Sequence, residues 1–225
     1  MLYSIAERYQ NSPKPDYAKA ASLYQKIIAD YPSTAYAARA KVFSGAIKVL
    51  TAIDLGQDIN LELAKFKTAY AGNPMLHAAM MTIGEKSYEK GFSKLSQEAD
   101  PNNSLFKFSA ALLENDVVPN APDNTARAMA HYMVGLNYEQ LGEYAKAAGA
   151  FGAAYQADPK YLYADYCLFA QGRCYEKLKA SGKIDANEAD VLIKNAYQTF
   201  LAEYPDHSMA DYVVLRLAEI NHGAP

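Results

Sequence analysis

Apolar residues along the chain are spaced as on amphipathic helices, and no segment shows the sustained alternation that predicts a β-strand. Each pair of helices carries an apolar face that it cannot bury alone, so we expect successive pairs to stack. The stretch GFSKLSQEADPNNS (91–104) predicts a loop with at most a short helical turn. The pattern predicts eleven helices, near residues 1–10, 16–30, 33–54, 60–72, 75–90, 104–115, 124–141, 144–157, 160–179, 186–203 and 206–221.

A repeat marked by prolines runs through these helices. Five prolines, spaced 42, 48, 37 and 46 residues apart, stand at corresponding points: Pro32, Pro74, Pro122, Pro159 and Pro205. An aromatic residue lies eight positions before four of them, and a glycine or alanine lies thirteen positions after four of them. The register breaks before Pro122, where Glu114 occupies the aromatic position. We therefore expect one array over 1–225, with an irregular third and an incomplete last repeat: 1–32, 33–74, 75–122, 123–159, 160–205 and 206–225.

Residues 128–161 contain the clearest repeat and closely resemble a tetratricopeptide repeat. The resemblance is carried, in order, by Gly135, Tyr138, Gly142, Tyr144, Ala147, Phe151, Ala154 and Pro159. It covers most of the chain and is weakest at about 91–122. The resemblance implies an all-α fold, a right-handed superhelical solenoid of antiparallel helix hairpins with about five repeats.

The small and aromatic residues of this motif have a plain physical role. Gly135 and Ala147 are small where two antiparallel helices would cross, and aromatic rings fill the gaps between them. Gly142 would form the tight turn, because glycine adopts positive φ without strain. Pro159 predicts the start of the next helix, with Asp158 as its N-cap.

The spacing from proline to glycine is longer here than in an ordinary tetratricopeptide repeat. Glycine usually follows the proline by thirteen residues rather than about ten, which predicts a first helix that begins almost one turn early. With Tyr31-Pro32 and Tyr204-Pro205, this form resembles bacterial cell-envelope proteins such as the Tol–Pal coordinators and the lipoprotein scaffolds of outer-membrane β-barrel assembly. The resemblance implies a protein of the bacterial periplasm or associated with the outer membrane; a cytoplasmic location is the alternative.

Composition argues against several classes of protein. The net charge is −3, and Lys and Arg are spread among Asp and Glu, whereas nucleic-acid-binding proteins usually carry a basic patch. No apolar run approaches the roughly 18 residues of a membrane span. Glu7 and Arg8 stand where a signal peptide would place its apolar core, so any leader is expected to lie outside the given chain. Cys167 and Cys174 are separated by about 10.5 Å along one predicted helix, so we expect both to be reduced and buried.

The residues that could carry chemistry form no catalytic or metal-binding pattern. The four histidines, His77, His131, His207 and His222, lack metal-ligand spacing. We expect His131 to pack between repeats and His207 to be solvated in the first turn of a helix. The segment DLGQDINLE (54–62) does not match a calcium loop and predicts a solvated turn that caps the next helix. We therefore predict a protein that is not an enzyme and that takes no cofactor or metal.

A partner groove is the functional surface that the repeats predict. In stacked helix pairs the first helices line the concave face, at fixed positions relative to the close-contact glycine. These positions predict a groove formed by Met81, Tyr88, Met129, Tyr132, Leu136, Glu139, Tyr166, Phe169, Arg173 and Glu176. Aromatic residues, Met and Arg are enriched in interfaces, although packing of the same side chains on adjacent repeats is the competing explanation.

We therefore predict a non-enzymatic scaffold that binds a protein or peptide partner in this groove, and no nucleic acid. The alternative is a spacer or self-association segment of a longer protein. In that case a homodimer would form through the apolar residues of the last helix, near 206–221.

Overall fold

The computed structural model describes residues 1–95, 100 and 102–222, and over this part of the chain it contains helices and no strand. The chain divides into two compact units, Met1–Leu105 (unit 1) and Phe106–Pro225 (unit 2). Within each unit, helices that are neighbours in sequence pack on one another. The α-helices are α1 (Leu2–Asn11), α2 (Tyr17–Asp30), α3 (Ala35–Leu55), α4 (Ile59–Ala69), α5 (Leu76–Leu95), α6 (Ser104–Leu112), α7 (Asn124–Gln140), α8 (Tyr144–Ala157), α9 (Ala164–Ala180), α10 (Ala186–Glu203) and α11 (Ala210–Asn221).

The predicted helices are confirmed, and several of their ends are corrected. Helix α5 continues to Leu95, so the first part of the predicted loop 91–104 is helical. Residues 96–99 and 101 of that loop lie outside the described residues. Three helices begin later than predicted, at Ala35, Ala164 and Ala210 rather than at 33, 160 and 206.

The later starts arise because the Tyr-Pro pairs build a turn rather than the beginning of a helix. The amide of Tyr31 donates to the Ile27 carbonyl as α2 ends, and the amide of Thr34 then donates back to the Tyr31 carbonyl at 3.1 Å. Tyr204 ends α10 in the same way, and its carbonyl accepts from the amide of His207 at 3.2 Å. The residues between proline and helix are therefore ordered by backbone hydrogen bonds outside the helix.

The turn at Pro159 has the same form, so the prediction that Pro159 begins a helix capped by Asp158 is wrong. Asp158 ends α8, and its carbonyl accepts from the amide of Tyr161 at 3.0 Å. Its carboxylate accepts from the Lys160 amide at 3.0 Å and from the Thr125 hydroxyl at 2.5 Å. Asp158 therefore closes the turn that precedes α9.

Two close contacts between helices place an aromatic ring directly on a glycine, as predicted for Gly135. A Cβ added to Gly135 would lie 2.7 Å from the ring of Phe151, and one added to Gly172 would lie 2.2 Å from the ring of Tyr197. Carbon atoms in van der Waals contact lie about 3.5–4.0 Å apart. Neither position has room for a side chain, and both rings are fully buried.

Turns inside the helix pairs use glycine and aspartate as the sequence predicts. Gly142 has φ 69°, and the Glu143 amide donates to the Tyr138 carbonyl at 3.0 Å, which closes α7 in a Schellman motif. The segment 54–62 is confirmed as a capping turn, because Asp58 caps α4. Four aspartates of the described chain accept a backbone amide three residues further on, at 2.8, 3.0, 2.7 and 3.1 Å: Asp16, Asp58, Asp123 and Asp185.

The irregular third repeat contains a π-helical turn, Leu113–Val117, followed by a short 3-10 helix, Val118–Asn120. Glu114, which interrupts the aromatic register, lies in the π-helical turn and accepts a hydrogen bond from the Tyr138 hydroxyl at 2.6 Å. The buried side chain of Asn137 donates to the Ser109 hydroxyl at 3.0 Å. Hydrogen bonds therefore join α6, the π-helical turn and α7 where the aromatic pattern is interrupted.

We expect Gly172→Ala to lower the free energy of unfolding by about 1–3 kcal/mol, because the methyl group would press on the buried ring of Tyr197. Gly149→Ala in α8 is the matched control, since a Cβ there has no neighbour within 4 Å. That control should raise the free energy of unfolding by about 0.5–1 kcal/mol through helix propensity. Urea unfolding followed by circular dichroism measures both, and equal effects of the two substitutions would contradict the packing assigned to Gly172.

Candidate functional site

The structure places the ten predicted groove residues in both units. Met81 is buried in unit 1, and Tyr88 is half-buried with its ring 5.3 Å from that of Phe92. The other eight lie on α7 and α9 of unit 2: Met129, Tyr132, Leu136, Glu139, Tyr166, Phe169, Arg173 and Glu176. The contacts that bring predicted residues together are therefore found mainly in unit 2.

Tyr132 is the centre of an aromatic cluster in unit 2. Its ring stacks on that of Tyr163, with centroids 5.0 Å apart and planes at 15°, and meets the edge of Tyr166 at 5.8 Å. Tyr161 lies 6.0 Å away on another side, and the buried ring of Phe151 lies 6.3 Å away. We name Tyr132, Tyr161, Tyr163 and Tyr166 the tyrosine cluster.

The same set of contacts recurs in unit 1 at the same repeat positions. Tyr3 corresponds to Tyr132, because each stands three residues before the small close-contact position of its helix. The ring of Tyr3 lies 5.5 Å from that of Tyr24 and 5.9 Å from that of Tyr36. Arg39 places its guanidinium 5.1 Å from the centre of the Tyr3 ring, where unit 2 has Tyr166. The repeat therefore fixes which positions meet and leaves their chemistry free to vary.

Part of the tyrosine cluster is open to solvent. The side chain of Tyr163 is 44% exposed and that of its neighbour Leu162 is 77% exposed. The reasoning from sequence missed Tyr161, Leu162 and Tyr163, because its groove positions begin only six residues before the close-contact glycine, which is Gly172 in this repeat. The signal that could have found them is the run YLYADY (161–166), which is rich in aromatic residues beside a predicted helix start.

Phe169 of α9 occupies the position that Tyr132 occupies in the preceding repeat, but its side chain is buried. Its ring stacks on that of Tyr197 at 6.3 Å, and Tyr212 of α11 meets it edge-on at 5.7 Å. Met129 is exposed, and Leu136 is half-buried. Phe169 thus supports the surface from below, and the aromatic side chain exposed at this point is that of Tyr212.

A row of charged side chains crosses α7, α9 and α11 beside the aromatic residues. Arg173 of α9 pairs with Glu139 of α7, and its guanidinium also lies 5.6 Å from the centre of the Phe169 ring. Glu176 of α9 accepts from Arg216 of α11 at 2.7 Å, and Arg216 also pairs with Glu219. We name Glu139, Arg173, Glu176, Arg216 and Glu219 the charged ladder. Sequence reasoning missed Arg216, because the fixed positions relative to the close-contact residue give Leu215 and Glu219 as the groove positions of the last helix, and Arg216 follows Leu215.

The ladder borders a cleft of about 540 Å³ between α9, α10 and α11. Its apolar wall includes Ile193 and Ile220, and Lys179 forms an ion pair with Asp190 at 2.5 Å on another wall.

We name the surface formed by the tyrosine cluster, the charged ladder and Tyr212 the α7–α9–α11 face. Burial raises the pKa of the Tyr166 phenol, and the Glu139 carboxylate adds to this effect. The hydroxyl of Tyr166 therefore remains a hydrogen-bond donor at neutral pH.

Unit 1 holds a smaller, apolar cleft of about 270 Å³ over its own aromatic set. Tyr3, Tyr31 and Tyr36 line it, together with Thr34. Thr34 occupies the repeat position that Tyr161 occupies in unit 2. The side chain of Thr34 is much smaller than a tyrosine ring, so the cleft remains open at this position in unit 1. The two units therefore present related but distinct surfaces.

Two of the histidines are half-buried, and both cysteines are buried. Burial, with a smaller contribution from Arg127, lowers the pKa of the half-buried His131. His207 was predicted to be solvated in a helix, but it is half-buried in the turn before α11, where its Nε2 lies 3.3 Å from the carboxylate of Asp165. Cys167 and Cys174 are buried and unbridged, as predicted, and burial raises the pKa of each thiol to about 12.

Within the described ranges, no three His, Cys, Asp or Glu side chains are grouped so as to hold a metal ion. Over the same part of the chain, no helix is long and apolar enough to cross a membrane.

Comparison with known proteins finds no match: no protein-family model matches the chain, and no curated protein matches it in sequence.

We expect Glu85→Gln in α5 to stabilise unit 1 at neutral pH. Burial raises the pKa of Glu85 above the ordinary value of 4.5, and Glu89 adds to the effect, although Lys86 opposes it. The folded protein thus binds this proton more tightly than the unfolded chain does, so stability is lost as the pH rises through the raised pKa. The advantage of Glu85→Gln should be largest near pH 7 and should fade as the pH falls towards 4.5.

Urea unfolding of both proteins at several pH values measures this difference. A difference that stayed constant with pH, or a parent chain more stable than the variant at pH 7, would contradict the assigned cause.

Proposed function

We propose that this chain is a non-enzymatic scaffold of the tetratricopeptide type, which binds a peptide or protein partner on the α7–α9–α11 face. The observation that carries the proposal is the open tyrosine cluster beside the charged ladder. Tyr163 and Leu162 are exposed although they adjoin a tightly packed set of rings. Packing in the core of unit 2 explains why Phe151 and Phe169 are aromatic, because both are buried. It does not explain why Leu162 and Tyr163, which are exposed, are large and apolar.

The composition of this face is that of a protein interface. Tyrosine and arginine dominate the residues that contribute most to binding energy in interfaces, and charged pairs around them set orientation. Tyrosine offers a large contact area at low entropic cost, and the rings here are already held by one another. A partner would therefore meet a surface that is ordered before binding, which lowers the cost of association.

A location in a bacterial cell envelope is the second part of the proposal. It is supported by the Tyr-Pro turns at Tyr31 and Tyr204, whose sequences resemble those of envelope scaffolds. Fractionation of cells that express the native gene tests it: recovery with periplasmic or outer-membrane material is expected, and recovery with cytoplasmic markers alone would overturn it.

Self-association is the second candidate function, and one observation favours it. Helix α11 exposes Val214 and Leu215, the latter 57% exposed, while Val213 between Tyr212 and Val214 is buried. Light scattering over a range of concentrations decides between the candidates. A dimer that Leu215→Glu dissociates would support self-association, and a monomer at all concentrations would exclude it.

Selection from a displayed library of random peptides tests the proposed binding directly. We expect selected peptides to lose about tenfold or more in affinity when Tyr163→Ala and Tyr212→Ala are combined, since truncation of interface tyrosines typically costs more than about 1 kcal/mol each. The matched control combines Val191→Ala with Leu61→Ala, which removes two exposed apolar side chains from other helices.

The proposal requires that the control keeps full affinity and that both variants keep their helical content. Failure to select any peptide, or equal loss in both variants, would overturn the α7–α9–α11 face as the binding surface.

A further inference from the structure

The tyrosine cluster brings four phenol rings together at a surface that is partly open to solvent. Tyr163 is held from behind by its stacking on Tyr132, and its 44% exposure leaves ring surface open to solvent. Leu162 projects beside it with 77% exposure. Such a surface offers exposed apolar area together with phenol groups.

A polyproline II segment matches these features better than a helix or a strand does. Its backbone makes no internal hydrogen bonds, so its carbonyl oxygens are free to accept from tyrosine hydroxyls. Its proline rings pack against aromatic side chains, and grooves lined with aromatic residues recognise this conformation with little loss of entropy. A helical partner would instead need a continuous apolar groove for side chains at helical spacing.

The charged ladder adds a preference for positive charge at the other end of α9. It contains three carboxylates, Glu139, Glu176 and Glu219, against two guanidiniums, Arg173 and Arg216. Lys177 is turned about 100° around α9 from Glu176. The ladder therefore carries one negative charge in excess, which a basic side chain of a partner would neutralise.

The distance between the two features gives the spacing of the partner's residues. Tyr166 and Glu176 are ten residues apart on α9, or about 15 Å along the helix axis. A polyproline II chain rises about 3.1 Å per residue. The separation therefore corresponds to about five residues of such a chain.

We propose that the α7–α9–α11 face receives a proline-rich segment whose prolines pack on the tyrosine cluster and whose Arg or Lys, about five residues away, pairs with the carboxylates of the charged ladder. This inference rests on the proposed function, because it names the chemistry of the partner for the same face. Unit 1 provides an internal comparison: Arg39 stands at the position of Tyr166 there, so that surface carries a cation where the proposed site has a ring.

Fluorescence anisotropy with labelled synthetic peptides tests the proposal on the full chain. The probes are octaproline followed by a pair of arginines, octaproline followed by a pair of glutamates, and a glycine–serine peptide followed by a pair of arginines. We expect the first to bind about tenfold more tightly than either of the others.

Three variants locate the binding. Tyr163→Ala should weaken binding of the first probe about tenfold, whereas Tyr36→Ala, the same change at the same repeat position of unit 1, should leave it unchanged. Glu219→Gln should weaken binding of the arginine-containing proline peptide about threefold and leave binding of the glutamate-containing one no weaker than before. Urea unfolding of each variant shows whether it remains folded.

Equal binding of the glycine–serine and proline probes, or no effect of Tyr163→Ala in a folded variant, would overturn the inference. If no proline probe binds while peptides from the random library do, the inference fails and the proposed function stands. If neither binds, both fail.

Discussion

The contact on which the rest of the structure depends is an aromatic ring packed on the bare backbone of a glycine in the neighbouring helix. It occurs at Gly45 with Tyr70 in unit 1 and at Gly172 with Tyr197 in unit 2, where an added Cβ would lie 2.4 and 2.2 Å from the ring. Only glycine lets the helices approach so closely, and each ring closes the gap that results. The glycine stands thirteen residues after a repeat proline in both cases, whereas the ring comes from different positions, since Tyr197 lies eight residues before the next proline and Tyr70 lies four. The repeated glycine therefore fixes where neighbouring helices come close to each other.

The proposed binding surface follows from this constraint. With Phe151 seated on Gly135, Tyr132 is brought beside Phe151 and towards the next helix, where Tyr163 and Tyr166 meet it. In unit 1 the close-contact position beside Tyr3 is Ala6 rather than glycine, and the corresponding positions bring Arg39 to Tyr3. The repeat therefore determines which positions meet, and the residues at those positions determine the chemistry of the surface. Similar packing of buried residues thus supports two different exposed surfaces, one around Tyr3 and one around Tyr132.

Most of the helical framework could be predicted from sequence, because its signals are local. The capping turn at 54–62, where Asp58 caps α4, and the glycine turn at Gly142 act within a few residues and lie where the pattern indicated. The turn at Pro159 was misread, since an Asp-Pro pair suits a helix start as well as a turn, and the backbone hydrogen bonds that decide the outcome are not visible in the sequence. Tyr163 and Arg216 were missed for a related reason: their place on the surface depends on contacts with the preceding repeat.

The most direct test of the ring-on-glycine contact is a double-mutant cycle between Gly172 and Tyr197. In the parent background, the methyl group of Gly172→Ala meets the ring; in a Tyr197→Leu background, the ring is gone and the extra methyl group has space. The two substitutions should therefore couple by about 1 kcal/mol or more in the free energy of unfolding, with Gly172→Ala neutral or stabilising when Tyr197 is replaced. An equal cost of Gly172→Ala in both backgrounds would contradict the claim that α9 and α10 are held together by the ring of Tyr197 packed on Gly172.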